Sequence, residues 1–231
     1  MIEVIDTIDD VIDRMQSIAD STGPGDGVGF FNAVYQLTTE AVRDRLGTGF
    51  FTDEGFVERF DIAFANFYFA AIDADAAGQP VDAAWRPLFA RRSDRRVHAA
   101  QFAVAGMNAH IDHDLELAVV EICAAEHTHP LAGSIRADYF RIDDVLVEVE
   151  PGLRQSLLGD LKRRFAQPLE PLLHLIGSFS IGRARQAAWV QAQVLWELRG
   201  NPLFDEIVAV SASTVGMTTQ HLLTPLLPSD P

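Results

Sequence analysis

The chain has 231 residues, 48% of them hydrophobic and 22% charged, the balance of a globular protein with a sizeable core. A formal net charge of −15 and a pI of about 4.7 argue against non-specific binding to nucleic acid or an anionic membrane surface, both of which need clustered Lys and Arg. A single cysteine, Cys123 in an apolar run, excludes an intrachain disulfide and a thiolate-rich zinc site.

Helical periodicity runs through most of the chain and predicts an all-α, single-domain multi-helix bundle over residues 1–231. Ile2, Ile5, Ile8, Ile12, Met15 and Ile18 recur at three- and four-residue steps, a first helix with an acidic outer face. The Gly-rich turn 22–27 ends it, so residues 1–25 form an N-terminal helix and turn. A second helix carries Phe30, Phe31, Val34, Leu37, Thr38, Val42 and Leu46 and stops at Gly47 and Gly49. Thr52 or Asp53 caps a third, from about Glu54 to Ala76. Its apolar middle around Phe64 makes it central. Residues 81–90 suit a short helix containing Trp85 and interrupted at Pro87.

Ser93 or Asp94 then caps a long helix to about Glu126, followed by a loop over 127–133. The β-branched run Val145-Leu146-Val147-Glu148-Val149 suits a short strand or hairpin near 141–149, or a helix broken at Pro151. Helix is expected again from Leu153 to Phe165, irregular chain at Pro168 and Pro171, and helix from Ser180 or Ile181 to Arg199. Asn201 caps a last helix to about Leu223, with Pro202 at its first position, and residues 224–231 form a tail. No apolar stretch reaches the roughly 18 residues of a membrane span, and no basic region leads an apolar run at the N-terminus. A cytoplasmic protein is the resulting reading.

The most informative segment lies inside the long apolar helix. Asn108-Ala109-His110-Ile111-Asp112-His113-Asp114 sets one amide, two imidazoles and two carboxylates where polar groups are costly unless paired or bound to a metal. At about 100° per residue, His110, Asp114 and Glu121 share one face within about 40°, bordered by Gly106 and Ala103, small enough for a neighbour to approach. Asn108 and Asp112 lie nearly opposite. Such a stripe suits a divalent metal (zinc, iron or manganese) held by His110, Asp114, Glu121 and Asp61. It equally suits an acid–base pair in which a carboxylate orients His110. A hydrogen-bonded pair that only fixes helix packing is the competing reading.

Asp61 and Tyr68 share a face with Phe64 in the third helix, and Arg185 and Trp189 share one late in the chain. Arg185 is suited to pair with an interior acid or to clamp an anionic substrate group. No phosphate-binding loop, dinucleotide fingerprint or nucleophile elbow is present.

The run GMNAHIDHDL resembles the signature GMNAHINxDL of a bacterial family of unknown function. The similarity extends to Phe64-Ala65-Asn66-Phe67-Tyr68, to Trp85-Arg86-Pro87-Leu88-Phe89 and to Arg185 with Ala188-Trp189, with Asp112 where that family commonly has Asn. It implies that His110, Asp114, Asn108, Asp61, Asn66, Tyr68 and Arg185 act together, and it implies no activity. The H-x-x-x-D spacing from His110 to Asp114 is also similar to the metal-binding element of the all-α zinc phospholipase C and P1 nuclease group, without that group's other ligands.

The expected function is therefore an enzyme acting on a small molecule by hydrolysis, elimination or isomerising proton transfer. His110 would be base or metal ligand and Asp114 its orienter or a second ligand. Tyr68 would donate a hydrogen bond, Arg185 hold an anionic group, and Asn66, Asn108, Phe64 and Trp189 contact substrate. The alternatives are a non-catalytic binding protein with an apolar cavity lined by Phe64, Tyr68 and Trp189, and a structural module.

Overall fold

The computed structural model describes residues 5–164 and 179–225, and every regular element in them is helical. Local hydrogen bonds set where each helix begins. Helix α1 (Ile8–Ser21) opens at Thr7, whose hydroxyl accepts from the Asp10 amide while the Asp10 carboxylate accepts from the Thr7 amide. Ile5 therefore precedes the helix, and Ile2 lies outside the described residues. Helix α2 (Gly27–Arg43) starts at Asp26, which accepts from Val28 N at 2.8 Å. Its buried face carries Val28, Phe31, Tyr35, Thr39 and Val42, and Leu37, expected in the stripe, is 50% exposed. Helix α3 (Glu54–Ala76) is capped by Asp53 as expected. Helix α4 (Arg86–Arg91) is shorter than anticipated. Pro87 lies in its first turn, where a missing amide proton costs nothing, so it starts this helix rather than interrupting it.

The expected long helix is three pieces: α5 (Ala99–Ala109), a π-turn (His110–Asp114) and α6 (Leu115–Ala125). The start moves from Ser93 or Asp94 to His98, whose Nδ1 accepts from Ala100 N at 3.1 Å and whose own amide donates to Gln101 Oε1. Asp94 instead engages the Arg96 guanidinium. Within the π-turn Leu115 N donates to His110 O, five residues back, so one surplus residue is inserted. His127, at φ 52°, ends α6.

The strand or hairpin near 141–149 does not form. Helix α7 (Ile135–Arg164) runs through it and through Pro151. Tyr139, Ile142 and Val145 are buried at three-residue steps, whereas Val147, which a strand would turn the same way as Val145, is 65% exposed. The core selects the helical period over the β-branched composition. Helix α8 (Ile181–Leu198) is capped by Ser180 and α9 (Leu203–Leu222) follows Pro202, with Asn201 Oδ1 accepting from Leu203 N. Phe165, Pro168, Pro171 and Pro228 lie outside the described residues.

The rod formed by α5, the π-turn and α6 is the axis of the molecule. Every residue of α5 is buried, between α2 and α9, and α6 packs against α3 and α8. Helix α1 covers α2 and α3. Gly106 makes the α2 contact possible, because a Cβ there would lie 2.3 Å from Phe31 Cγ. Phe31, Phe64, Trp85, Leu115 and Trp189 belong to one hydrophobic core. Among the described residues, no helix is long and apolar enough to cross a membrane.

Candidate functional site

His110 occupies the first position of the π-turn, where α2, α3 and the central rod meet. Its Nδ1 lies 2.8 Å from Asp114 Oδ2, and the same oxygen accepts from Trp85 Nε1 at 2.9 Å. The carboxylate can only accept, so the imidazole proton sits on Nδ1 and Nε2 carries the lone pair. Burial drives the His110 pKa below its ordinary value against the opposing pull of Asp114, which keeps the ring neutral.

Aromatic rings enclose the imidazole. Phe64 stacks on it with centroids 3.6 Å apart and planes at 7°, and Tyr35 meets it edge-on at 4.5 Å. Phe31, Trp85 and Tyr68 complete the surround. Gly106 is the local condition for this, since it alone admits Phe31.

A cavity of about 60 Å³ opens beside the ring, lined by Phe31, Tyr35, Thr39, Phe60, Asp61, Phe64, His110 and Arg185 among others. At about 15 Å³ per water it has room for about four water-sized groups. Four side chains of the lining carry a fully buried polar atom with no close hydrogen-bond partner among the described residues: His110 Nε2, Asp61 Oδ2, Tyr35 Oη and Thr39 Oγ1, the last two near enough to interact with each other. Such an atom costs about 1–3 kcal/mol when left unpaired, so His110 Nε2 and Asp61 Oδ2 together make a concentrated deficit around the cavity. Burial raises the Asp61 carboxyl from 3.8 to about 7, with Arg185 pulling the other way. Burial likewise holds the Tyr35 phenol well above its usual range, so it stays protonated.

The sequence-derived residues divide sharply. His110, Asp114, Phe64, Asp61 and Arg185 come together. Arg185 does not, however, bond to Asp61, Asp114 or Glu121 among the contacts made. Its Nε donates to Asp143, its Nη2 donates to Tyr139 O at 2.7 Å, and its guanidinium lies 4.4 Å from the Tyr139 ring centroid. Tyr68 touches the His110 ring, but its hydroxyl donates to Asn32 Oδ1 at 3.2 Å, and Asn32 Nδ2 in turn donates to Met15 O at 2.9 Å. Trp189 packs on Tyr139 and Phe140, outside the cavity lining. Asn66 is exposed on the far side of α3.

Asn108 faces α9, donating to Val215 O and Thr219 Oγ1. The π-turn explains Glu121 as well. With one surplus residue, everything after it is set back by about 100°, which carries Glu121 off the His110 face and into solvent. The same offset brings Glu116, otherwise about 80° from Asn108, to within about 20° of it. Glu116 is accordingly buried against α9, accepting from Ser211 Oγ at 2.9 Å. Burial raises it to about 7, opposed by Ser211 and His113.

The four metal ligands drawn from the sequence do not converge. Asp114 Oδ2 is committed to His110 and Trp85, Glu121 is exposed, and among the described residues no three His, Cys, Asp or Glu side chains are grouped to hold a metal ion.

Tyr35, Thr39 and Trp85 are the site residues that sequence reasoning missed. Phe31, Tyr35 and Thr39 step by four along α2, and two hydroxyls in an otherwise apolar stripe were the available signal. Trp85 stands in a segment that matched the family pattern, with nothing local to name Asp114 as its partner.

No curated protein and no solved structure matches the chain. A family model does match, over residues 8–225, from the first residue of α1 to beyond the end of α9 and so across every element of the site. The chain belongs to the family of unknown function DUF5995.

Proposed function

We propose that this protein is an enzyme that binds a small molecule in the cavity beside His110 and transfers a proton to or from it. The observation that carries this reading is that buried polar atoms without close partners, His110 Nε2 and Asp61 Oδ2 foremost, belong to side chains lining one cavity. A network serving packing alone would be satisfied by its neighbours. Asp114 fixes the Nδ1–H tautomer, leaving Nε2 free to act as base. Asp61, with a carboxyl pushed up to about 7, is the second group able to take or give a proton near neutrality. Isomerisation or elimination on a substrate of a few heavy atoms fits this pair. The acidic composition fits a dissolved small-molecule partner better than a polyanion, and a cytoplasmic setting completes the proposal.

A non-catalytic binding protein is the second reading, favoured by the many apolar side chains in the lining, such as Val34, Val42, Ile111 and Ile142. Native mass spectrometry of the purified protein, and a thermal-shift screen of small alcohols, amines, amides and carboxylic acids, identify what enters. His110→Ala is expected to abolish turnover of the bound compound while circular dichroism stays native. Binding that persists in the wild type with no turnover leaves the binding reading. A His110→Ala chain that only unfolds, with no compound bound by the wild type, returns the site to packing.

A further inference from the structure

We propose that the ligand of this cavity is a small organic amine, held as its ammonium ion between Asp61 and the aromatic walls. The inference rests on reading the cavity as a ligand site and names the chemistry of what fills it.

The first argument is the character of the unpartnered atoms. His110 Nε2 can only accept, because its tautomer is set by Asp114 on the other side of the ring. Asp61 Oδ2 accepts when ionised, and the Tyr35 and Thr39 hydroxyls each bring one proton against two lone pairs, so acceptors still outnumber donors. The site therefore has a surplus of acceptors, and the ligand that satisfies it brings several N–H or O–H groups on one small centre. A primary ammonium brings three.

The second argument is charge. Around the cavity stand Asp61 and, behind the His110 ring, Asp114, whose bonded partners are Trp85 and the imidazole. The permanent cation in the lining, Arg185, is turned to Asp143 and to the Tyr139 carbonyl and ring. A carboxylate ligand would have to compete for those donors and would face Asp61. An ammonium ion bonds Asp61 without displacing Arg185 from Asp143 and the Tyr139 carbonyl, and shares with Arg185 the neutralisation of Asp61.

The third argument is the wall. Phe31, Tyr35, Phe60 and Phe64 line the cavity, and aromatic rings attract a desolvated cation as they do not attract an anion. The proton balance closes on either route: an ammonium ion meets the ionised carboxylate, or a neutral amine takes the proton of the Asp61 carboxyl. Both give the same ammonium–carboxylate pair.

Ethylammonium, acetate and ethanol are probes of three or four heavy atoms and differing charge. Each is titrated into the full-length protein, with the His110 Nε2 resonance and calorimetry as readouts. Ethylammonium is expected to bind at one site per chain and more tightly than the other two. Asp61→Asn is expected to weaken it by about tenfold or more, as loss of a charged hydrogen-bond partner does, with ethanol affinity little changed. Acetate binding more tightly than ethylammonium, or ethylammonium binding equally to Asp61→Asn, overturns the proposal while leaving a ligand site beside His110. If none of the three moves the His110 resonance, the ligand-site reading fails together with this one.

Discussion

Replacing Asp61 by Asn tests how deeply its carboxyl is cut off from solvent. Asn keeps the shape and removes the charge. Raising the folded carboxyl from 3.8 to about 7 makes its ionised form about 4 kcal/mol less favourable in the folded chain than in the unfolded one. The sign follows from proton counting. Between these two values the folded state holds a proton that the unfolded state has released, so stability contributed by Asp61 is full below pH 3.8 and lost as pH rises through about 7. The Asn variant has no such loss. Relative to the wild type it gains about 3 kcal/mol between pH 5 and pH 8, or about 6–12 °C in melting temperature for a chain of this size. Thermal unfolding followed by far-UV circular dichroism, on both proteins at matched pH, reads that difference directly. Glu116, also raised to about 7, tilts both curves alike and cancels in the subtraction. His110, held neutral by burial, tilts both the opposite way, since the unfolded chain binds the extra proton on acidification. A difference that stays constant from pH 5 to pH 8 refutes the reasoning, because a carboxyl open to water would ionise near 4 in both states.

Two further substitutions probe the frame around the imidazole. Gly106→Ala sets a methyl group 2.3 Å from Phe31 Cγ, and forcing α2 off the central rod is expected to lower stability by about 1–3 kcal/mol in chemical denaturation; an unchanged midpoint contradicts the contact. Trp85→Phe removes the indole donor to Asp114, with an expected loss of about 1–3 kcal/mol. The His110 imidazole should then titrate at a higher pH in NMR, since Asp114 is left to bond it alone.

What the sequence discloses and what it hides have a common physical origin. Helix α3 and its Asp53 cap were legible because the cap and the apolar period act within one turn. His110 with Asp114 was legible for the same reason, at four residues' spacing. Glu121 was misread because hydrophobic spacing carries no mark of the π-turn, whose extra residue turns α6 by about 100°. Val145 and Val147 looked alike by composition, and only packing against the rest of the molecule buried one and exposed the other. The Asp94 cap failed because Arg96 engages its carboxylate and His98 takes over the capping. Tyr35 and Trp85 are brought to His110 from distant helices, and no local pattern announces such meetings.

The Asn32 side chain couples parts of the molecule that look independent. By gripping the Met15 carbonyl with one end and the Tyr68 phenol with the other, it ties α1 to a ring that bounds His110. The N-terminal segment is thus a brace for the rings around His110, so trimming it as a dispensable appendage would loosen the aromatic enclosure from behind.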